Sequence, residues 1–536
     1  MILAFDFYYI SKNGVLEHLL KEIANDFLIS HKILRQDDTV RFFVEADEHR
    51  LGEFADYLSN ALPLSIFFKS SCVEVVASMP LGEENIVATE APVLFTPKRL
   101  AQAEDNELIL RENTQELLHV KSARDQEDMY ERVATLIDQG ECVRIETGTN
   151  TYVIGKIEQS HAIKDFEVIA TDLSVVERMV VCHDNEMKAL ASLERPAIRF
   201  KVNALYEQKG ILDAKRVFMR LSDDLFLYPL CKKLFEKGIF FLFRTDACPT
   251  PYSVVCEAVE GNNAPLHVSV LENGVILLLR GMRYASRELK ESLKKFDEPS
   301  HASFASLMQE HQLFDVESTC FYLSKTHDDR IMHYSKEHGM LNLVGISLPS
   351  SFAELFAQIE RSSSSAKRLV QNYQEQFPEL FSHAMNTPLP QKAPQNIYTL
   401  WGMVAVVLGL SKTIENGAQR LIENAEDYGG EKGPRIDYYL EKEDALSSDF
   451  DYVRLFRSGM SYKLAGTDDN TLSFGYMESL AYFITDIADA HRENLSSKNS
   501  ALGGALFGYK RFSEMVFKNL KPNHTICFNR ELPIDQ

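Results

Sequence analysis

The sequence predicts a multidomain protein that combines α/β and α+β folds. Two observations lead to this prediction: the first 78 residues alternate strand, helix, strand, strand, helix and strand, and a helix–strand unit is found at 166–201. The chain has 536 residues, which is enough for three or four domains with cores of their own. With 45% hydrophobic and 25% charged residues, it has the composition of a globular protein.

The N-terminal elements follow from hydrophobic periodicity and from turn residues. The predicted elements are strand 2–8, helix 15–27, strands 31–36 and 39–46, a helix from Asp47 to about residue 60, and strand 64–77. Asp37 and Asp38 form a tight turn between the two central strands, and Asp47 caps the second helix. This order is the ferredoxin-like split βαβ arrangement, which acylphosphatases share.

The patterns in the rest of the chain are less regular. Residues 79–127 are polar and are predicted to be a linker with some helix. Asp128 and Glu131 resemble a capping box at the start of a helix that ends at Gly140. Residues 300–385 are predicted to be rich in helix, with the serine run 362–365 as a loop or an exposed helix start.

Charge and cysteine content exclude several classes of function. The chain carries 57 Lys and Arg against 78 Asp and Glu, and its net charge of −21 repels nucleic acid and anionic membranes. Basic proteins or small molecules are therefore the expected partners. The eight cysteines form no C-x-x-C pair, so neither a zinc finger nor a disulfide framework is expected.

No segment suggests targeting or membrane insertion. The N-terminus MILAFDFYYISKN lacks a basic region and a cleavage site. The longest apolar runs, such as 403–408, are far too short to cross a bilayer. A cytoplasmic location is therefore expected, with thiols in a reducing compartment.

The segment 166–201 resembles a known family. Its sequence, FEVIATDLSVVERMVVCHDNEMKALASLERPAIRFK, is similar to K-P-F-A-V-M-A-x-D-L…E…L-L-x-S-x-x-R-P-I-V in HypF, the carbamoyltransferase of [NiFe]-hydrogenase maturation. The residues in register are Lys164, Phe166, Val168, Ala170, Asp172, Leu173, Glu186, Ser192, Arg195 and Pro196.

The resemblance runs along the chain in order and implies four parts. They are an acylphosphatase-like domain at 1–78, a linker at 79–127, a YrdC-like α/β domain at 128–296, and a Kae1-like domain of the actin/Hsp70 type at 297–536, truncated at its C-terminus. The strongest similarity is at 39–67, 166–201 and 400–520. What matches is mostly apolar framework and turn residues, so fold and catalysis are judged separately.

The acylphosphatase-like and linker parts depart from the family in their chemistry. Glu17 stands where the family has the arginine that cradles phosphate, and Gln36 stands in place of the asparagine that positions water. A carboxylate repels an acyl phosphate, so this domain is expected to lack that activity. The family's zinc modules fall in the linker, but 93–107 contains neither Cys nor His, so no zinc is expected there.

The YrdC-like part keeps few of the family's cations. Making a carbamoyl-adenylate from ATP and carbamoyl phosphate requires a dense set of basic groups. Here the preceding segment IEQSHAI leaves Lys164 alone, and TDACPT at 245–250 places Asp246 and Cys248 where the family has Ser and Asn. The candidate catalytic residues are Lys164, Thr245 and Arg280, while Arg283 is offset from a second basic position.

The Kae1-like part has lost the family's metal ligands. HYSKEHGMLNLVGISLP at 333–349 resembles the family segment that follows two metal-binding histidines, and the alignment puts Thr326 and Arg330 at those positions. Arg cannot ligate a metal, and His327 and His333 are six residues apart, which does not place them on one helical face. No metal site is therefore predicted.

A nucleotide site has one candidate in this part. The backbone N–H groups of Gly503 and Gly504 are candidates for contact with a nucleotide phosphate, which would make ATP the cofactor. Asp535 falls near the family's metal-binding aspartate. The helix that follows it in the family is absent, and a residue so close to the end is expected to fray.

Three functional hypotheses remain. The leading one is a non-catalytic HypF-like accessory protein, a two-lobed scaffold or chaperone for a hydrogenase large subunit or other maturation proteins. The second is a reduced carbamoyl- or nucleotide-transferring enzyme that uses ATP, and it requires Lys164, Thr245, Arg280 and the 503–504 turn to converge on one positive pocket. The third is a module of the tRNA threonylcarbamoyl pathway, against which the charge of −21 argues.

Overall fold

The structure is a computed structural model that describes residues 1–89, 95–102, 107–163, 165–259, 266–442, 446 and 448–535. It divides into two compact units, Met1–Arg287 and Glu288–Gln536. No helix in these described ranges is long and apolar enough to cross a membrane.

The first unit begins with a four-stranded antiparallel sheet covered by two helices. Its elements are β1 (Ile2–Tyr9), α1 (Val15–Asp26), β2 (Ser30–Gln36), β3 (Thr39–Glu45), α2 (Glu48–Ala61) and β4 (Phe68–Val76). The strand order β2-β3-β1-β4 is that of the predicted ferredoxin-like domain, which is confirmed. Asp47 is the N-cap of α2, as predicted, because its carboxylate accepts a hydrogen bond from Arg50 N at 3.0 Å.

The second part of this unit is a twelve-stranded mixed sheet. Its strands are β5 (Leu108–Glu112), β6 (Gln115–Val120), β7 (Val143–Thr147), β8 (Thr151–Lys156), β9 (Glu167–Ala170), β10 (Val180–Val181), β11 (Ala197–Val202), β12 (Arg216–Arg220), β13 (Phe241–Thr245), β14 (Tyr252–Cys256), β15 (His267–Val270) and β16 (Ile276–Arg280). The order is β16-β15-β11-β12-β9-β13-β8-β7-β14-β5-β6, with β10 beside β11.

Short and medium helices connect these strands. They are α3 (Pro97–Gln102), α4 (Ala123–Asp138), α5 (Asp184–Leu190), α6 (Ala204–Glu207) and α7 (Leu227–Glu236), with 3-10 turns at Ile157–Ala162 and Leu173–Arg178. Helix α4 packs against α7 along the sheet, and a buried apolar cluster that includes Met129, Ile137 and Leu230 joins the two layers.

The start of α4 corrects one prediction. The capping box at Asp128 and Glu131 is wrong, because the helix begins five residues earlier, at Ala123. Ser122 precedes it with extended backbone, and its hydroxyl donates to Asp125 Oδ2 at 2.8 Å. The strands β5 and β6 also lie within 79–127, so part of the predicted linker is a hairpin that pairs with β14.

The second unit contains a six-stranded sheet and long helices. Its strands are β17 (Ser318–Tyr322), β18 (Arg330–Ser335), β19 (Gly339–Gly345), β20 (Ser448–Asp449), β21 (Asn499–Gly503) and β22 (Thr525–Phe528). The order is β20-β19-β18-β17-β21-β22; β17, β18 and β19 form an antiparallel meander, and β21 and β22 continue parallel to β17.

The helices of this unit make up most of its residues. They are α8 (Arg287–Leu293, which starts at the unit boundary), α9 (Pro299–Glu310), α10 (Phe352–Ser362), α11 (Ser364–Gln376), α12 (Pro378–Asn386), α13 (Ile397–Leu408), α14 (Ile414–Asp427), α15 (Tyr452–Leu464), α16 (Asp469–Leu495) and α17 (Lys510–Leu520). The apolar run 403–408 is the buried C-terminal half of α13. The resemblance implies two lobes. In the described residues of this unit, one lobe is built around the six-stranded sheet, and the remaining elements are helices.

The segment 318–345 differs from the prediction of a helix-rich region. It forms β17, β18 and β19, and Lys336, Glu337 and His338 make the turn between the last two strands. Gly339 has a φ of +69°, a left-handed conformation that glycine adopts without steric cost. The prediction for the serine run is confirmed: Ser363 caps α11 by accepting a hydrogen bond from Ala366 N at 3.1 Å.

Candidate functional site

The predicted catalytic residues lie at separate places on the large sheet. Lys164 is outside the described residues. Thr245 ends β13, is buried, and donates its hydroxyl proton to the Asp165 carbonyl at 2.9 Å. Arg280 is exposed at the end of β16, where it pairs in register with His267. The hydroxyl of Thr245 is therefore used within the fold.

The loop that follows Thr245 is fixed by its own backbone and side chains. The Thr250 hydroxyl donates to the carbonyl of Cys142, and Ala247 N donates to Thr245 Oγ1 at 3.4 Å. Burial, followed by the neighbouring Cys248, raises the pKa of Cys142 to about 11, so this thiol is protonated at neutral pH. The loop thus has the properties of a structural turn.

A buried ionic network, which no sequence motif predicted, occupies the sheet beside this loop. Arg220 Nη1 donates to Asp223 Oδ2 at 2.5 Å, and Arg244 Nη1 donates to Asp223 Oδ1 at 2.6 Å. Arg220 Nε also lies 2.7 Å from Glu167 Oε2. Asp223 therefore bridges two guanidinium groups from β12 and β13, the two strands on either side of β9.

The network also includes a histidine from a strand that is not adjacent to β9. His267 Nε2 lies 2.6 Å from Glu167 Oε1, although β15 and β9 are separated by β11 and β12. Three strand spacings amount to about 14 Å in a flat sheet, which the two side chains would not bridge. The sheet must therefore curve, and the network lies on its concave face.

Tyr152 and Asp224 extend the network toward α7. The Tyr152 hydroxyl donates to Asp224 Oδ2, and the ring of Tyr152 lies 4.0 Å from the guanidinium carbon of Arg244. Asp224 Oδ1 accepts from Leu227 N at 2.6 Å and Phe226 N at 3.0 Å at the start of that helix. Burial and the adjacent Asp223 raise the pKa of Asp224 to about 6.

The charges of the network compensate one another. Burial opposes the ionisation of Glu167, but Arg220 and His267 outweigh it and hold its pKa at about 2. For Asp223, burial is likewise outweighed by Arg244 and Arg220, which lower its pKa. Arg220 is fully buried, and its Nη2 has no hydrogen-bond partner within the described ranges. Each arginine of the network therefore faces a carboxylate of the same domain.

The sequence contained a signal for this network. Arg244 stands inside the apolar strand FLFRT, in which every residue is buried, and Arg220 ends the strand RVFMR just before the pair Asp223-Asp224. A charge within a buried strand requires a buried partner. The pattern predicts that partners exist, but it does not identify them.

A cavity of about 560 Å³ opens near the start of β13, away from Thr245. Its charged lining residues are Lys156, Arg178, Lys209 and Glu158, and neither Thr245 nor Arg280 lines it. Lys156 Nζ contacts Asp138 Oδ1 at 2.7 Å, and Arg178 and Lys209 stack on aromatic rings. The lining of this cavity is positive overall, but it does not include Thr245 or Arg280, the two candidate catalytic residues that the structure describes.

In the second unit, the Gly503–Gly504 turn packs against backbone. A Cβ at Gly504 would lie 2.2 Å from the carbonyl oxygen of Leu323, and Gly504 has a φ of +98°. Its N–H donates to Ile534 O at 2.5 Å, and Leu323 N donates to Gly503 O at 2.9 Å. Close packing therefore accounts for both glycines, and the N–H proposed for a phosphate is occupied.

Asp535 is held in place rather than frayed. Its carboxylate accepts hydrogen bonds from Tyr322 Oη at 2.9 Å and from Ser324 Oγ at 3.0 Å. The nearby Asp329 accepts from Ser324 N and Ile397 N, both at 2.7 Å, and burial raises its pKa well above the usual range. These two carboxylates tie the loop after β17 to other parts of the unit.

The residues aligned with the family's metal ligands lie in a strand and a loop. Arg330 begins β18 and lies 3.3 Å from Asp328, and Thr326 is in the preceding loop. His333 lies within β18, with Nε2 2.7 Å from Glu317. Across the described ranges, no group of three or more His, Cys, Asp or Glu side chains is placed to hold a metal ion.

In the ferredoxin-like domain, Glu17 is buried and forms an ion pair of 2.8 Å with Arg35. Arg35 reaches from β2 into the loop before α1, where it also donates to the carbonyls of Tyr9 and Ser11. Gln36 is exposed at the end of the same strand. The loop that would cradle a phosphate in an acylphosphatase is therefore filled by a side chain of this protein.

Comparison with known proteins agrees with this architecture. No family model matches the chain. The chain is 25% identical over 551 residues to Protein HydE of Wolinella succinogenes, covering 96% of each sequence.

Two crystal structures of HypF resemble this structure over nearly its whole length. One is full-length HypF in its phosphate- and nucleotide-bound form, with a TM-score of 0.63 and 13% identity, covering 100% of this chain and 96% of that one. The other is HypF of T. kodakarensis, with a TM-score of 0.66 and 12% identity, covering 99% and 96%. The fold is therefore HypF-like, with acylphosphatase-like, YrdC-like and Kae1-like parts.

Proposed function

We propose that this protein is an accessory factor of [NiFe]-hydrogenase maturation that does not transfer a carbamoyl group. It acts as a scaffold or chaperone for a hydrogenase large subunit or for another maturation protein. The HypF-like fold supports a role in hydrogenase maturation. The ionic network around Asp223 is the observation that supports the absence of carbamoyl transfer.

The network opposes the binding of phosphates through its electrostatics. Binding of ATP and carbamoyl phosphate requires cations whose charge is available to the phosphates. Arg220 and Arg244 are buried, and Asp223 and Glu167 neutralise them at distances of 2.5 to 2.7 Å. A polyanion would have to displace these carboxylates, which would leave them buried and unpaired at a cost of several kcal/mol.

The second unit supports the same proposal. A nucleotide phosphate at the 503–504 turn requires backbone N–H groups that point to it, and the N–H of Gly504 is bonded to Ile534. The residues present do not fit a nucleotide there, so no step of the proposal passes through ATP.

The partners follow from charge and compartment. A chain of net charge −21 is suited to basic protein surfaces and is not suited to nucleic acid. All eight cysteines are unpaired thiols, and we place the protein in the cytoplasm, where thiols stay reduced.

Titration calorimetry of the full chain with ATP and with carbamoyl phosphate tests the loss of chemistry. We expect no saturable heat with either ligand. Saturable binding of both ligands, together with release of pyrophosphate from ATP, would overturn the proposal. The scaffold role is tested by tagging the protein in its native cells and identifying the proteins that copurify with it. We expect to recover hydrogenase or maturation proteins.

A reduced nucleotide-binding enzyme is the alternative, and the positive cavity favours it. If ATP binds, the variant Lys209→Glu should weaken it, since Lys209 lines the cavity near the ring of Tyr206. Lys215→Glu, outside the cavity lining, is the matched control. Binding that is lost in the first variant and kept in the second would establish this alternative.

A further inference from the structure

Among the residues that the structure describes, no strand pairs with the outer edge of the ferredoxin-like sheet. Strand β4 ends the order β2-β3-β1-β4, and eight of its nine residues are exposed. Val73 is 56% exposed and Val75 is 66% exposed, which is unusual for valines on the face that the helices should cover. An edge strand with open N–H and C=O groups is a template for pairing with another strand.

The opposite edge of the same sheet is covered by the chain itself. Residues 80–85 run beside β2, where Lys32 Nζ donates to Pro80 O at 2.7 Å and Ile33 N donates to Glu84 Oε1 at 3.0 Å. Arg35 N donates to Asn85 Oδ1, and Asn85 Nδ2 donates back to Arg35 O at 2.7 Å. Within the described ranges, the chain therefore protects the β2 edge and leaves the β4 edge open.

An apolar cavity of about 450 Å³ lies beside β4, between the sheet and the helices. Aromatic rings of Phe5, Phe7 and Phe68 and the side chains of Leu58 and Val73 line it. Phe5 pairs in register with Val73, so the cavity is reached from the face of β4 that carries the exposed valines. A strand added to β4 would place every second side chain into this cavity.

The charges around the cavity indicate what kind of segment would fit. Helix α2 forms its other wall through Ala55, Leu58 and Ser59. Glu48 and Asp56, each four residues from Gly52, are exposed on the same side of that helix. Residues 1–78 carry twelve acidic against seven basic side chains.

We infer that β4 and this cavity form a docking site for an extended segment of a partner protein. The segment is apolar at alternate positions and carries Lys or Arg next to them, to face Glu48 and Asp56. The length of β4 limits it to about nine residues, or about 30 Å. A second copy of this chain is a poor occupant, because two acidic surfaces would be brought together.

The inference deepens the proposed function, on which the identity of the partner rests. The probe is a set of 15-residue peptides tiling the hydrogenase subunits and maturation proteins of the same genome, measured by fluorescence anisotropy with the full chain. We expect peptides of the stated pattern to bind. Hydrogen exchange should show new protection at 68–76.

Three variants sharpen the test. Val73→Lys places a charge at the mouth of the cavity and should weaken peptide binding at least 10-fold. Asp56→Lys should weaken it about threefold and reduce its dependence on salt. Leu81→Lys is the matched control, because Leu81 is 99% exposed in the same unit and does not line the cavity; its binding should be unchanged.

The outcomes separate the two proposals. Peptides that bind Val73→Lys as well as the natural chain would overturn the docking site, as would protection confined to other strands. If no peptide binds while tagged protein recovers hydrogenase proteins, the docking site fails and the proposed function stands. If β4 binds peptides but no hydrogenase protein is recovered, the proposed function fails. A dimer that Val73→Lys dissociates would show that a second copy occupies the site and would overturn the stated occupant.

Discussion

Arg35 and Glu17 form a buried ion pair of 2.8 Å at the loop between β1 and α1. The side chain of Glu17 is completely buried, and that of Arg35 is 6% exposed. The same guanidinium donates to the carbonyls of Tyr9 and Ser11 at 2.9 and 2.6 Å. An arginine is thus present in the loop, but its hydrogen bonds are made to the protein.

Replacing Glu17 by Gln should loosen this loop. The amide keeps the shape but removes the charge that balances Arg35, so we expect a loss of about 1–3 kcal/mol in the local opening free energy. Hydrogen exchange of the amides in 9–20 measures it. Glu45→Gln, at an exposed position of β3, is the control and should leave these amides unchanged. Equal exchange in both variants would show that the ion pair does not stabilise the loop.

Asp223→Asn should destabilise the first unit strongly. The substitution leaves Arg220 and Arg244 buried with one balancing carboxylate fewer, and breaking such pairs typically costs about 3–5 kcal/mol. Circular dichroism during urea unfolding measures the loss. Trp401, the single tryptophan, lies in the second unit and reports that unit separately. Asp246→Asn is the exposed control, and a shift in Asp223→Asn no larger than its own would contradict the network's role.

Gly504→Ala tests whether the 503–504 turn is a packing feature. The added Cβ would lie 2.2 Å from Leu323 O in a left-handed conformation, so we expect a loss above about 3 kcal/mol. Gly339→Ala has a similar positive φ but open space around it, so it should lose only about 1 kcal/mol. Fluorescence of Trp401 during unfolding gives both values. Equal losses would mean that the conformation of Gly504 matters and its close packing does not.

Glu310 should make the second unit less stable as pH rises. Burial and the neighbouring Glu531 raise its pKa to about 8 from the usual 4.5. Between these values the folded protein holds a proton that the unfolded chain releases, so the free energy of unfolding falls with increasing pH. From pH 5.5 to 8 the fall due to this group is about 3 kcal/mol, at about 1.4 kcal/mol per pKa unit.

Glu310→Gln isolates this effect. Its free energy of unfolding, followed by Trp401 fluorescence at pH 5.5 and pH 8, should fall by about 3 kcal/mol less than that of the natural chain. Glu375→Gln, exposed on α11, should keep the natural dependence. A natural slope in Glu310→Gln would mean that the proton is held elsewhere.

The parts of the fold that the sequence predicted depend on local energies. The βαββαβ order, the Asp47 cap of α2 and the helix start in the serine run 362–365 each follow from a few consecutive residues. The capping box at Asp128 failed because the helix starts earlier, at Ala123, which places Asp128 inside it. The prediction that 300–385 is rich in helix failed at 318–345, because short apolar runs fit a helix or a strand equally well and pairing of β17 with β21 favours the strand.

The fold class, the order of elements in the first domain, and the charged residues that differ from the HypF pattern can be read from the amino-acid sequence. The role of the charged residues that remain depends on the folded chain. His267 meets Glu167 across 100 positions, and Arg35 reaches the loop before α1 from another strand. A buried charge requires a partner, but its identity depends on where the chain path brings distant residues together. For the same reason, the difference between the two edges of this sheet depends on the chain path, which brings 80–85 beside β2 and not beside β4.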